Sequence, residues 1–152
     1  MLVCAAITRL ARGKTDVVMM LNGALGGLVA ITAEPLMPSP IAAIIIGGIG
    51  GALVFAGTEL LAALKIDDVV GAIPVHLIAG IWGTLAVPIT NPDTSFGTQF
   101  LGTASICVFV FVVSIIIWSI MKATIGIRIS EEAEKEGTDV AETGVIAYSI
   151  RD

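Results

Sequence analysis

The chain has 152 residues, of which 56% are hydrophobic and 14% charged, with 17 glycines and 5% aromatics. A soluble domain of this size needs more polar surface, so lipid is the expected solvent and glycine the residue that lets helices approach closely there. The formal net charge of −5 gathers largely in 130–142, which holds six of the thirteen carboxylates, so it describes a tail and gives no reason to expect a nucleic-acid partner.

In chain order, 1–16 opens with an apolar stretch followed by Arg9, Arg12 and Lys14. Charges after the apolar run do not make a signal peptide. The segment reads as a cytoplasmic lead-in, or as the end of a preceding helix. Four uncharged runs follow, at 17–33, 35–58, 69–92 and 94–121. A helix needs about 20 apolar residues, at about 1.5 Å each, to cross a hydrocarbon core of about 30 Å. All four runs reach that, the first only just. None alternates with period two, and a barrel needs more segments than this chain supplies. The expectation is an all-α integral membrane protein with four transmembrane helices in 17–127 and a tail over 128–152.

Breakers fall where spans end: Pro35, Pro38 and Pro40 between the first and second, and Asn91-Pro92-Asp93 between the third and fourth. Gly47, Gly48, Gly50, Gly51 and Gly57 give the second span a small-residue face, and Gly23 and Gly27 do the same for the first, which predicts close helix packing. An even number of crossings puts both termini on one side. All eight cations (Arg9, Arg12, Lys14, Lys65, Lys122, Arg128, Lys135 and Arg151) fall on that side, whereas the opposite loops carry only Glu34 and Asp93. The positive-inside rule therefore predicts cytoplasmic termini in a multi-pass protein.

Several polar groups lie within the runs. Asn22 and Thr32 are expected to hydrogen-bond between helices, and Trp82, away from the interfacial belt, to sit between helices. Glu59 is expected to snorkel or to pair with nearby Lys65. Asp67 and Asp68 open the third span, where a carboxylate caps a helix and complements its dipole. Cys4 and Cys107 lie in apolar surroundings more than a hundred residues apart, which suits buried, reduced thiols. His76, the single histidine, is set roughly 10 Å into the third span by helical rise. A ring at that depth needs a partner, either a neighbouring helix or a ligand. No phosphate loop, metal-ligand spacing or nucleophile beside a histidine is present, so neither an enzyme nor a bound metal or cofactor is expected.

Three stretches carry a family resemblance. Residues 21–33, Leu-Asn-Gly-Ala-Leu-Gly-Gly-Leu-Val-Ala-Ile-Thr-Ala, resemble the eighth helix of ammonium transporters, and Val75-His76 through Gly80-Ile81-Trp82-Gly83-Thr84-Leu85 resemble their tenth. Gly137-Thr138-Asp139 with Glu142, Gly144, Ala147 and Tyr148 is similar to their cytoplasmic C-terminal motif. The match runs from about Arg12 to Tyr148 in the right order and spacing. Departures are Thr143 where the family often has His, Val145 where it often has Glu, Leu77 where Gly often follows the histidine, and Glu34 where an apolar residue is usual.

The resemblance implies transport of ammonium or ammonia through a hydrophobic pore of the cell's inner membrane. It makes His76 the second of two pore histidines that hydrogen-bond one another. Ala72 and Gly80, one turn away, line the path with Ile73 and Ala79 flanking, and Asp67 and Asp68 lie at the inner mouth. The physical logic is that a bare ammonium ion in a low-dielectric channel costs far more than ammonia, and potassium has no proton to shed. An imidazole with a pKa near 6.5 can accept from or donate to the permeant and pass on a proton. Family members form homotrimers whose tails contact neighbouring subunits, and a PII-type signalling protein can plug the cytoplasmic exits. The chain corresponds to the last four helices of such a transporter. The other reading is a truncated, non-conducting membrane subunit or gene fragment.

Overall fold

The computed structural model describes residues 1–36 and 38–147, and every regular element among them is helical. Tyr148 of the predicted tail motif and Arg151 lie outside the described residues. Two compact units divide the chain, Met1–Cys107 and Val108–Asp152. The first holds α1 (Leu2–Arg12), α2 (Val17–Thr32), α3 (Pro40–Ala63), α4 (Ile73–Thr90) and the opening turns of α5 (Phe96–Thr124). The rest of α5, α6 (Glu131–Glu136) and α7 (Thr138–Thr143) form the second. By length and composition α3, α4 and α5 are long and apolar enough to cross a membrane, whereas α2 is apolar but only 16 residues long.

The helix starts follow from local chemistry. Asp16 accepts from the Met19 amide at 3.0 Å to begin α2, and Ser39 accepts from Ala42 at 3.3 Å to begin α3, with Pro40 at the first helical position, where its missing N–H costs nothing. Ser95 and Ser130 do the same for Thr98 and Ala133, 3.2 Å away in each case.

Glycine sets the spacing between helices. A Cβ on Gly27 would stand 3.1 Å from the Gly47 carbonyl oxygen, so α2 and α3 meet backbone to backbone. One turn further, Cys4 of α1 fills the hollow beside Gly23, is fully buried, and donates its thiol hydrogen to the Gly51 carbonyl at 3.0 Å. Further along α2, α4 crosses at Gly83, where a Cβ would lie 2.4 Å from the Ala30 oxygen. Lipid gives helices no hydrophobic reason to associate, so dispersion at these crossings and a few interhelical hydrogen bonds hold the bundle. Trp82 supplies one such bond, its indole N–H donating to the Ile46 carbonyl at 3.0 Å. Asn22 donates to the Val70 carbonyl, in the loop before α4, at 3.0 Å.

Two expected side-chain pairings change. Thr32 bonds back to Leu28 of its own helix at 2.7 Å instead of reaching another helix. Glu59 pairs with Arg12 instead of Lys65, because α1 lies beside α3 and parallel to it and brings a guanidinium to it; Arg12 also binds Asp16 at 3.0 Å and stands 5.6 Å over the Phe55 ring.

In the second unit, Asp139 organises the tail. Its carboxylate accepts from the Ala147 amide at 2.8 Å, and its carbonyl from the Val145 amide at 3.3 Å and the Thr143 hydroxyl. Gly144, at φ 67, supplies the left-handed turn that brings those groups back.

Candidate functional site

The start of α4 is built in an unusual way. Gly71, at φ 76, turns the chain in, and both Asp68 carboxylate oxygens accept backbone amides, Ala72 at 2.8 Å and Ile73 at 2.9 Å. Pro74 stands at the start of the helix, where its missing N–H costs nothing, and the Ala79 amide reaches back five residues to the Pro74 carbonyl. The result is a π-helical turn over Ile73–Ile78 with His76 inside it. Such wide turns are rare and gather at functional positions.

The turn presents His76 outward. With Leu77, Gly80, Ile81 and Thr84 of α4, and Gln99, Gly102, Thr103, Ile106 and Cys107 of α5, it lines a groove of about 330 Å³. The walls are apolar with a sparse polar line. Thr84 spends its hydroxyl hydrogen on the Gly80 carbonyl at 3.0 Å, whereas the Thr103 hydroxyl oxygen is shielded and has no partner.

The predicted residues separate. His76 and Gly80 share the groove. Ala72 is exposed one turn before it, and Ile73 is half-buried. Ala79 turns the other way and is fully buried in the core with Cys4, Met19, Val54 and Val75. The wide turn advances each residue less than an α-helix does, which carries Ala79 away from the face of His76. Asp67 is exposed at the same end, and Asp68 is half-buried in its capping role. Cys107 is half-buried on the groove wall instead of in a core. At the far end of α4, Asn91 donates to the Glu34 carboxylate at 2.8 Å, which ties the end of α2 to the end of α4. Among the described residues no group of three His, Cys, Asp or Glu side chains is placed to hold a metal ion.

The α5 wall was absent from the sequence expectations. Gln99, Gly102, Thr103 and Ile106 follow the i, i+3, i+4, i+7 spacing of one helical face, and that spacing was the available signal. Uniform hydropathy along α5 hid it.

The profile of the Ammonium Transporter Family matches residues 1–148. The chain belongs to this family. The ammonium transporter Amt2 of Archaeoglobus fulgidus is 37% identical over 164 residues, covering 94% of this chain and 35% of the relative. The ammonium transporter Amt1 of Haloferax mediterranei is 35% identical over 142 residues, covering 90% of this chain and 28% of the relative. A solved structure named Sensor Amt Protein superposes with a TM-score of 0.85 at 31% identity, over 93% of this chain and 38% of that one. The chain thus spans about a third of the length of the family members it matches.

Proposed function

We propose that this chain forms part of an ammonium transporter, and that the groove of His76 is its share of the permeation path. The observation that carries the reading is the placement of the single histidine of a family member in a π-helical turn that aims it at an apolar groove. A narrow apolar path favours neutral ammonia over any bare cation. An imidazole in that path holds ammonia by a hydrogen bond and exchanges a proton with it. The role is transport and not catalysis of a covalent step. His76 and Gly80 line the path, with Ala72 and Ile73 at its inner approach, and Asp67 and Asp68 at the inner mouth, where Asp68 also fixes the start of the helix. Ala79 contributes packing only.

In this reading α2, α3, α4 and α5 cross the cell's inner membrane and both termini are cytoplasmic, as the distribution of Lys and Arg implies. The other helices of the transporter close the groove on its open side. The assembly is a homotrimer, the tail contacts a neighbouring subunit, and a PII-type signalling protein meets the cytoplasmic face. The preformed loop around Asp139 suits a docking tail, since a segment already folded has less entropy to lose on contact.

The test is to reconstitute the assembled transporter in proteoliposomes and impose ammonium and potassium gradients in turn. Ammonium flux with exclusion of potassium is expected. Equal fluxes of both ions, or no flux of either from correctly assembled protein, overturn the proposal.

A further inference from the structure

A π turn encloses one more residue in each hydrogen-bonded loop than an α turn does, so it holds a surplus that is given up only if one of its ends can move. Giving it up would swing the residues ahead of it round the helix axis by up to one position, about 100°, and would take His76, inside the turn, off the groove. The rear end is fixed to the bundle, since Trp82 donates to the Ile46 carbonyl and Gly83 lies against the Ala30 backbone. The front end is capped by Asp68, which belongs to the same loop, so that cap shapes the loop without tying it to another helix. Asn22 of α2 supplies the tie. Its side-chain amide donates to the Val70 carbonyl at 3.0 Å, the one hydrogen bond from 67–72 to a helix other than α4 among the described residues. Gly71, at φ 76, is laid directly on that amide, because a Cβ there would stand 2.6 Å from the Asn22 nitrogen. From Gly71 the hold passes into the helix, where its carbonyl accepts from the Val75 amide, next to His76, at 3.1 Å. Pro74 also rests on Gly57 of α3, but an apolar contact has no preferred direction, whereas a hydrogen bond does.

We propose that Asn22 is a positioning residue for His76, whose amide holds the Val70 carbonyl and so fixes the front of the π turn that aims the imidazole into the groove. Its importance to transport rests on the reading of the groove as the permeation path. The contacts lie wholly within this chain and are all made, so no other helix is needed to complete them. Asn22 touches no permeant. Without its amide the front of the turn is free to slide toward α-helical pitch, the common form, and the imidazole leaves the groove.

The experiment uses the assembled transporter at matched membrane abundance. The direction of position 76 is read in His76→Cys by the yield of a bismaleimide crosslink to Cys107, which lines the same groove, while Cys4 is fully buried. Asn22→Leu removes the amide at similar size, and Asn22→Asp keeps the shape but offers a carboxylate, which accepts and does not donate. Each is expected to lower the crosslink yield about five-fold, the worth of one hydrogen bond, and, with His76 in place, to lower ammonium uptake by a similar factor. In His76→Ala neither should lower uptake further, because nothing remains to be aimed, whereas a role in folding alone would cost the same factor in both backgrounds. An unchanged crosslink in either Asn22 variant overturns the positioning role whatever happens to transport, and so do equal losses of uptake in both backgrounds. If the crosslink falls but His76→Ala transports ammonium and excludes potassium as wild type does, Asn22 still positions residue 76 and the reading of the path is what fails.

Discussion

Gly83→Ala is the substitution for which the structure gives the most direct magnitude. The new Cβ would stand 2.4 Å from the carbonyl oxygen and 2.8 Å from the Cα of Ala30, so the obstacle is the backbone of α2 and no rotamer change relieves it. The helices must part by about 0.6 Å before that contact reaches the shortest approach packed interiors tolerate. Overpacking of this kind costs about 1–3 kcal/mol, which is about a five- to 150-fold change in the folding equilibrium. Gly80→Ala, one turn earlier, is the control, because its Cβ meets only Val29 at 3.7 Å, an ordinary contact. There the better helix propensity of alanine acts without a clash. Thermal unfolding of the detergent-solubilised protein measures both. Gly83→Ala should unfold several degrees lower than wild type and Gly80→Ala at or above it. Equal midpoints for the two variants would refute the backbone contact between α2 and α4.

Asp68→Ala removes the acceptor of two backbone amides at the start of α4. It should cost about 1–2 kcal/mol and reduce transport with His76 in place, whereas Asp68→Asn should recover part of both; the readouts are thermal unfolding and ammonium uptake. The Ala147 amide holds the Asp139 carboxyl below its ordinary pKa. A lowered folded pKa stabilises the loop fully above the usual carboxylate value of about 3.9, and that contribution is lost as pH falls through the folded value. The Ala147 amide resonance of the tail should therefore be constant near neutrality and shift only under strong acid, later than for an unstructured aspartate. Reporter fusions at residues 36 and 152 test the sidedness: the first should report outside and the second inside, and an external signal from residue 152 would defeat the proposed topology.

Much of the fold is legible in the sequence because it depends on composition and punctuation. Uncharged runs bounded by Pro35 to Pro40 and by Asn91-Pro92-Asp93 mark helices, and the glycines of α2 and α3 mark where they touch. The start of α4 is less legible. Pro74 marks a helix start, but nothing in the residue types announces the five-residue reach of the Ala79 amide that makes the turn π-helical. Reading the face of His76 at α-helical pitch consequently assigned Ala79 to the path, although it is in the core. Long-range pairing is hidden for a different reason. Lys65 is nearer to Glu59 along the chain, yet Arg12 binds it, since the packing of α1 beside α3 is a tertiary fact. The family resemblance contributed what periodicity did not, a reason to single out His76 among the polar groups of the spans.

The proposed role of His76 in the path is tested by His76→Ala in the assembled transporter at matched membrane abundance, with ammonium and potassium each supplied as the permeant. Removing the imidazole takes away the hydrogen bonds and the proton acceptor and leaves space for water, so ammonium transport should fall by at least about five-fold or potassium should begin to pass. His76→Glu, which keeps a titratable group, should retain some conduction with poorer selectivity. Wild-type ammonium transport together with wild-type exclusion of potassium in His76→Ala would leave His76 a residue of packing alone and overturn its place in the path.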